Sequence, residues 1–391
     1  LPRPGRLACS CIAANALYRP AREIRGDFLQ KDTSDAVTDL LVISIDAMGG
    51  DHGPSIVVAG VALAASQGVC GPVRFILHGR ESELAAELNK HPAVLAVCEI
   101  RHSDTTISME DKPAQALRRG KGTSLWNCIE SVKSGEAKAA VSAGNTGALM
   151  AMAKLQLRMS ADLDRPAIVA SWPNAKGVAT VLDVGANVVC NAEQLVEFAI
   201  MGEAFHRAMH GVERPSIGIL NVGAEDEKGH DEVREANRLL REAGLNLNYH
   251  GFVEGTDLAK GTVDVVVTDG FTGNIALKTA EGMARFFAGE MRLALTASPL
   301  SMLGALLASS GLRKMRAKLD PSSVNGGPLL GLNGVVVKSH GSSDAKGFAN
   351  AIKVAASLAR SGYAEEISAK INHLESVLHA EPQLPPSEAQ A

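Results

Sequence analysis

From Leu40 onward the chain alternates short apolar runs with longer amphipathic segments, and this alternation constrains the fold more than any other feature. "LLVISID" reads as a buried strand, "PSIVVAGVALAASQG" as a helix ending at Gly68, "VRFILHG" as a strand and "ESELAAELNKH" as a short helix. Strand-like "AVLAVCEI" follows, then helical "SLWNCIESVKSGEA", the strand "KAAVSAG" and the helix "TGALMAMAKLQLRM". "AIVASW", "VATVLDVGA", "SIGILNVG", "LNLNYHGF", "VDVVVTD" and "NGVVVKSHG" supply later strands. "NAEQLVEFAIMGEAFHRAMHG" and "DEVREANRLLREAG" are helices between them, and the stretch from Asp344 to Leu378 reads as two more. Such alternation implies an α/β fold, a three-layer α/β/α sandwich with a mainly parallel sheet covered on both faces. Its ligands belong beyond the carboxyl ends of the strands.

No internal repeat or linker interrupts residues 40–375, so 40–378 is expected to be a single catalytic domain. Residues 1–39 carry Arg3, Arg6, Arg19, Arg22 and Arg25 but no apolar signal core. They are expected to form a disordered N-terminal extension, and 379–391 a loose tail. The formal net charge of -4 gives nucleic acid no global electrostatic attraction. Cys9, Cys11, Cys70, Cys98, Cys128 and Cys190 lack zinc-site spacing and point to core packing in a reducing compartment.

Polar motifs fall where strands give way to loops. They are "IDAMGGDHGP" with Asp46, Gly49 and Gly50, "VSAGNTGALM" with Ser142, Asn145 and Thr146, and "LDVGANV" with Asp183 and Asn187. "NVGAEDEKG" carries Lys228, "TDGFTGN" carries Asp269, Thr272 and Asn274, and "KSHG" carries Lys338 and His340. Six such loops are expected to converge on one edge of the sheet. None is a Walker loop and none is a dinucleotide fingerprint. What remains suits a small anion, because a helix N-terminus offers free N–H groups and glycine lets the backbone approach. "VSAGNTGALM" therefore reads as a phosphate-holding loop, with helix capping by Asn145 or Thr146 as the plain alternative. His340 titrates near neutrality and suits acid–base work. The strand-end aspartates Asp46, Asp51, Asp183 and Asp269 form no tight carboxylate cluster, so no metal is expected, and their plainer role is to accept loop N–H bonds.

Leu293–Leu312 contains no charged residue, and Arg285, Arg292, Arg313, Lys314, Arg316 and Lys318 flank it against Glu290 alone. Pro299, Gly304 and Gly311 dilute its apolarity, whereas Leu300, Leu303, Leu306 and Leu307 recur on one helical face. Residues 283–318 thus read as a protruding helical hairpin for an anionic membrane surface, for a dimer interface, or for both.

"DAMGGDHGP", "VSAGNTGALM", "RPAI", "LDVGANV", "AIMG", "TDGFTGN" and "LLGLNGVVVKSHG", in this order, closely resemble the PlsX family, the acyl-acyl carrier protein:phosphate acyltransferases of bacterial phospholipid synthesis. The resemblance runs from about Leu41 to the late 370s. Ala224 stands where the family commonly has an acidic or hydroxyl residue, and Asn325 where it often has Tyr. The resemblance implies a phosphotransacetylase-like fold, a homodimer, and transfer of a long acyl chain from acyl carrier protein to inorganic phosphate without a cofactor. The acyl phosphate would feed a membrane glycerol-phosphate acyltransferase, from a cytoplasmic protein resting on the inner face of the membrane. It favours Lys228 and His340 as catalytic groups. Ser142, Asn145, Thr146, Asn274 and Lys338 would frame the phosphate, with Asp46, Gly49, Gly50, Asp183, Asn187, Asp269 and Thr272 around the substrate. Three rivals stay open: a short-chain phosphate acetyl- or butyryltransferase using coenzyme A, a non-catalytic membrane scaffold that binds acyl carrier protein, and a nicotinamide-dependent dehydrogenase lacking its fingerprint.

Overall fold

Eleven strands make one sheet among the described residues. They are β1 (Leu41–Asp46), β2 (Val73–Gly79), β3 (Cys98–His102), β4 (Ala139–Ser142), β5 (Ala167–Pro173), β6 (Val178–Leu182), β7 (Ser216–Leu220), β8 (Asn248–Val253), β9 (Val265–Val267), β10 (Gly327–Leu330) and β11 (Val335–Lys338). The computed structural model describes residues 40–378 apart from 69, 162 and 319. The expectations for 1–39 and 379–391 lie outside those residues.

The strand order is β3-β2-β1-β4-β11-β10-β5-β6-β9-β7-β8. Neighbours in β3-β2-β1-β4-β11 are parallel, as are neighbours in β6-β9-β7-β8. The steps β11–β10, β10–β5 and β5–β6 are antiparallel. Three reversals turn the second block opposite to the first. The loops after β1, β4 and β11 therefore lie at one end of the sheet, and those after β6, β7 and β9 at the other. This corrects the expectation of a single edge. Strand direction is set by crossovers and pairing partners, and no loop motif carries that information.

Helices cover both faces. Ile43, Ile45, Phe75, Leu77 and Val141 pack on one side with Phe198, Phe205 and Phe348 from the helices Ala192–His210 and Ala345–Arg360. On the other side Ala140 and Val336 meet Leu125, Ile129, Leu149 and Met152 from Ser124–Lys133 and Thr146–Leu157. Each such side chain, fully buried, contributes roughly 1.5–3 kcal/mol. The helices start where polar caps allow. Asn191 and Gln194 form a capping box, Asp344 accepts from Gly347 N–H, and Thr123 accepts from Trp126 N–H.

Two expectations need local revision. In "AVLAVCEI", Pro92–Val97 is a 3₁₀ turn and only Cys98–His102 is strand, because Pro92 starts a tight turn rather than a ladder. β10, "GPLL", was not anticipated, since Gly-Pro argues against a strand. It is four residues long and bridges the two blocks. From Met283 the helix Gly270–Thr296 continues to its C-cap at Ala297; Ser298 then caps a new helix, Pro299–Leu307, which packs back on the first, and Ser309–Lys318 follows. Phe286, Phe287, Leu293, Leu300, Leu303, Leu306 and Leu307 are all exposed there. Among the described residues, no helix is long and apolar enough to cross a membrane.

Candidate active site

Asp46, Ser142 and Lys338 end three neighbouring parallel strands, with Asp46 opposite Ser142 and Lys338 opposite Ser142. In-register side chains on adjacent strands share a face, so the three stand in a row. The loops beyond them are tied together. Asp51 N–H donates to Gly341 O at 2.9 Å, and Ser339 N–H to Ser142 O at 2.9 Å. The 46–50 and 142–146 loops meet so closely that a Cβ at Gly49 would lie 2.5 Å from Gly144 N and 2.8 Å from Asp46 Oδ2. Only glycine fits there. A cleft lined by Gly49, Gly50, His52, Ile56, Ala143 and Gly341 opens beside this row. The helix Pro54–Ser66 begins in it, and its N-cap, Gly53, supplies no capping side chain. Pro54 has no N–H and Val57 N–H donates to Gly53 O, so the N–H groups of Ser55 and Ile56 are the ones this terminus offers an anion.

Asn145 caps the helix Thr146–Leu157. Its Oδ1 accepts Ala148 N–H at 3.0 Å, and its Nδ2 donates to Met109 O at 2.8 Å, Asp111 O at 2.9 Å and Ser108 O at 3.3 Å. The amide is committed to backbone at both ends, so the capping alternative is realised. Thr146 is the first residue of the capped helix. Gly50, at φ 92, supplies backbone rather than a side chain to the cleft.

The charged groups here perturb one another. Lys338 Nζ donates to Ala143 O at 3.1 Å and to Ser339 O. Burial pushes the Lys338 ammonium down to about 8, against the pull of Asp46 and Asp51, and Lys278 adds to the push. Burial also lowers His340, followed by Lys278. Nδ1 of His340 accepts Ser342 N–H at 3.3 Å and lies 2.9 Å from Ser342 Oγ. That contact leaves Nε2 as the nitrogen for a substrate. Its backbone N–H donates to Asn325 Oδ1 at 3.0 Å, while Asn325 Nδ2 donates to Ser339 Oγ at 2.9 Å. Asn325 and Ser342 are thus positioning residues for His340 that motif reading missed; the only signal was the departure at Asn325.

The other strand end is built differently. Asp183, fully buried, accepts from the N–H groups of Ile168, Gly185, Ala186 and Asn187 and from Asn187 Nδ2. Asn187 Nδ2 also donates to Pro166 O at 2.8 Å. Burial nonetheless pushes the Asp183 carboxyl up. Asp269 caps the helix Gly270–Thr296, accepting Thr272 N–H at 2.9 Å and the Thr272 hydroxyl at 2.7 Å. Asn274 is exposed on the first turn beside Gly185. Lys228 pairs with Glu225 Oε1 at 2.7 Å, which holds its ammonium above the usual lysine range.

Lys228 follows β7, five strand positions from β11, which ends at Lys338 just before His340. What does link the ends is the helix Gly270–Thr296. It starts at the second end, and its third turn brings Lys278 and Glu281 within electrostatic reach of His340.

Burial raises the thiols of Cys98, Cys128 and Cys190 to about 12, so none of these is a thiolate nucleophile. Among the described residues no cluster of His, Cys, Asp or Glu is suited to a metal.

Residues 41–366 match the family model described as "Fatty acid synthesis protein". The phosphate acyltransferase of Caulobacter vibrioides is 66% identical over 334 residues, which cover 85% of this chain and 92% of that protein. That of Phenylobacterium zucineum is 61% identical over 342 residues, covering 88% and 97%. Among solved structures, a phosphotransacetylase from Streptococcus pyogenes superposes with a TM-score of 0.55 at 18% identity, covering 82% of this chain and 94% of that one. At that identity the likeness concerns the fold alone.

Proposed function

The chain belongs to the fatty acid synthesis protein family, the PlsX family of phosphate acyltransferases, and from that premise we propose that the first strand end is where phosphate meets an acyl thioester. It is an acyltransferase. The proposed donor is a long-chain acyl-acyl carrier protein and the acceptor inorganic phosphate.

An unprotonated oxygen of HPO₄²⁻ attacks the thioester carbonyl carbon. The C–O bond forms and the carbonyl electron pair moves to oxygen. Collapse of that oxyanion breaks the C–S bond, and the sulfur leaves with the electron pair. The proton carried by the phosphate ends on the thiol, so the products are acyl phosphate and the free carrier thiol. Phosphate is already a nucleophile, and no activated serine or cysteine is needed. The chain's contribution is to hold phosphate at the helix Pro54–Ser66, to neutralise charge with Lys338, and to move the proton through His340. The observation that carries this reading is the level row Asp46–Ser142–Lys338 beside an uncapped helix N-terminus, with His340 two residues from Lys338.

The exposed leucines and phenylalanines of 283–318, with their arginines and lysines, support a long-chain substrate, a homodimer contact and peripheral attachment to an anionic bilayer. There a membrane glycerol-phosphate acyltransferase would consume the product. A short-chain transferase using coenzyme A has no use for such a surface.

Phosphate-dependent thiol release from palmitoyl-acyl carrier protein, palmitoyl-coenzyme A and acetyl-coenzyme A tests the proposal. Preference for the carrier-protein donor supports it. Preference for acetyl-coenzyme A would move the chain to the short-chain class, and no release from any donor would leave a scaffold. His340→Ala is expected to lower turnover about 10²-fold while phosphate still binds; full turnover would remove His340 from proton transfer.

A further inference from the structure

Between β3 and the helix Ser124–Lys133 the chain makes a long excursion at the first strand end. It leaves where Ser103 N–H donates to Gly79 O at the end of β2, and it closes where Ser103 Oγ donates to Gly122 O at 2.7 Å. The short helix Pro113–Arg118 lies between these points. Firm contacts hold the excursion to the 142–146 loop and the helix after it. Asn145 Nδ2 donates to the carbonyls of Ser108, Met109 and Asp111, and a Cβ at Gly147 would lie 2.6 Å from Pro113 Cγ. Ala116 is fully buried beneath. Met109 reaches the cleft wall at Gly341, where a Cβ would come within 2.9 Å of its Cε, yet Met109 is 42% exposed. The segment is therefore a rim of the cleft, fixed from behind and open outward.

Its outward side chains are basic. Lys112, Arg118, Arg119 and Lys121 are exposed, and the helix between the first and the others is only about 9 Å long. Asp111 pairs with Arg119. Lys112, Arg118 and Lys121 form no ion pair among the described residues. The other acids of the excursion are Asp104, which meets His102 at 3.0 Å, and Glu110. Among the described residues of 103–122, Met109 is the one exposed large hydrophobic. The face thus lacks the leucines and phenylalanines that 283–318 exposes and that a bilayer contact needs.

We propose that this rim, with Lys112, Arg118 and Lys121 on its outer face and Met109 at its inner edge, is the docking surface for an acidic acyl carrier protein. The proposal rests on the reaction above. A carrier that presents its thioester on a flexible arm must bind beside the cleft without filling it. Unpaired cations on a fixed scaffold attract such a partner from a distance and set its orientation.

The test is KM and kcat for palmitoyl-acyl carrier protein at saturating phosphate and several salt concentrations. The double variant Arg118→Glu, Lys121→Glu changes exposed side chains only and should keep its Tm. It is expected to raise KM for the carrier-protein donor ~10-fold with kcat little changed, and to flatten the salt dependence. KM for palmitoyl-pantetheine, which has the arm without the carrier, should not move. An unchanged KM for the carrier-protein donor would overturn the proposal. So would equal losses with both donors, which would mean damage to the cleft. A rise in KM on reversing Arg313, Lys314 and Arg316, with none on reversing Arg118 and Lys121, would move the carrier to 283–318. Loss of binding to anionic vesicles at unchanged KM would make the rim a membrane contact and overturn the proposal as well. Absence of phosphate-dependent release in the unmodified protein would instead refute the reaction, and the anisotropy of a labelled carrier protein would still read its docking on the two proteins.

Discussion

Asp46 and Asp183 are both buried aspartates at the ends of parallel strands, and burial raises both carboxyls. Their surroundings differ in kind. Asp183 accepts from four backbone N–H groups and one amide, all of which tie β5, β6 and the 183–187 loop together. Asp46 accepts the Ser142 hydroxyl, with Ser124 and the Met48 backbone also bonding to it, and stands in a row with a lysine that burial depresses. A saturated carboxylate is an anchor. Asp46 instead shares its row with a buried, titratable lysine, the kind of setting where charge is managed. The same residue type after the same kind of apolar run thus serves stability at one end of the sheet and chemistry at the other.

Four experiments bear on that contrast. Asp183→Ala should have the largest effect. It orphans several buried N–H groups and is expected to cost about 3–5 kcal/mol, read as a lower urea midpoint. An unchanged midpoint would erase the distinction from Asp46. Next, Lys338→Ala should reduce kcat/KM for phosphate about 10²–10³-fold with little change in Tm; a large loss of Tm with activity retained would reverse the assignment of the first end.

Third, each half of the sheet carries a buried histidine driven down to about 4 by desolvation: His78 on β2, and His206 against Thr180 of β6. Their folded values lie below the unfolded value of about 6.5. The unfolded chain therefore binds these protons first as pH falls. The stability they confer is complete above pH 6.5 and is lost between about 6.5 and 4, by roughly 2–4 kcal/mol for each histidine. Unfolding free energy measured from pH 7 to 4 should show this loss. His78→Asn and His206→Asn should each flatten part of it in one shared transition. Two separate transitions would mean that the halves unfold independently. The smallest effect is expected at Lys228. Its side chain is 51% exposed and bound to Glu225, and it follows β7, five strand positions from β11. Lys228→Ala should cost less in kcat/KM than Lys338→Ala, and the opposite ranking would move the chemistry to the second end.

The layer architecture was legible because burial writes itself into sequence as periodicity. β1, β2, β4 and β11 and the helices around them were readable from apolar runs and caps. The individual polar motifs were legible too, since glycine and short polar side chains mark strand-to-helix turns. What each polar residue does there was less so. That Asn145 caps its helix and ties to the 108–111 backbone was not legible, because a side-chain amide suits many partners and those lie over thirty residues away in sequence. That Asp183 and Asn187 also hold each other and their loop could be seen only in the structure.

By itself, the sequence determined the α/β class, the family, and the chemical character of each strand end, because these depend on residue type and local order. Tertiary structure alone decided which strand ends share a side. β10 is four residues with a weak signal, yet its two antiparallel pairings help turn half the sheet over. The third reversal, β5–β6, sets the second block opposite to the first, and the path of Gly270–Thr296 brings Lys278 near His340. Strand direction and long-range approach depend on contacts between residues hundreds of positions apart, which no local pattern records.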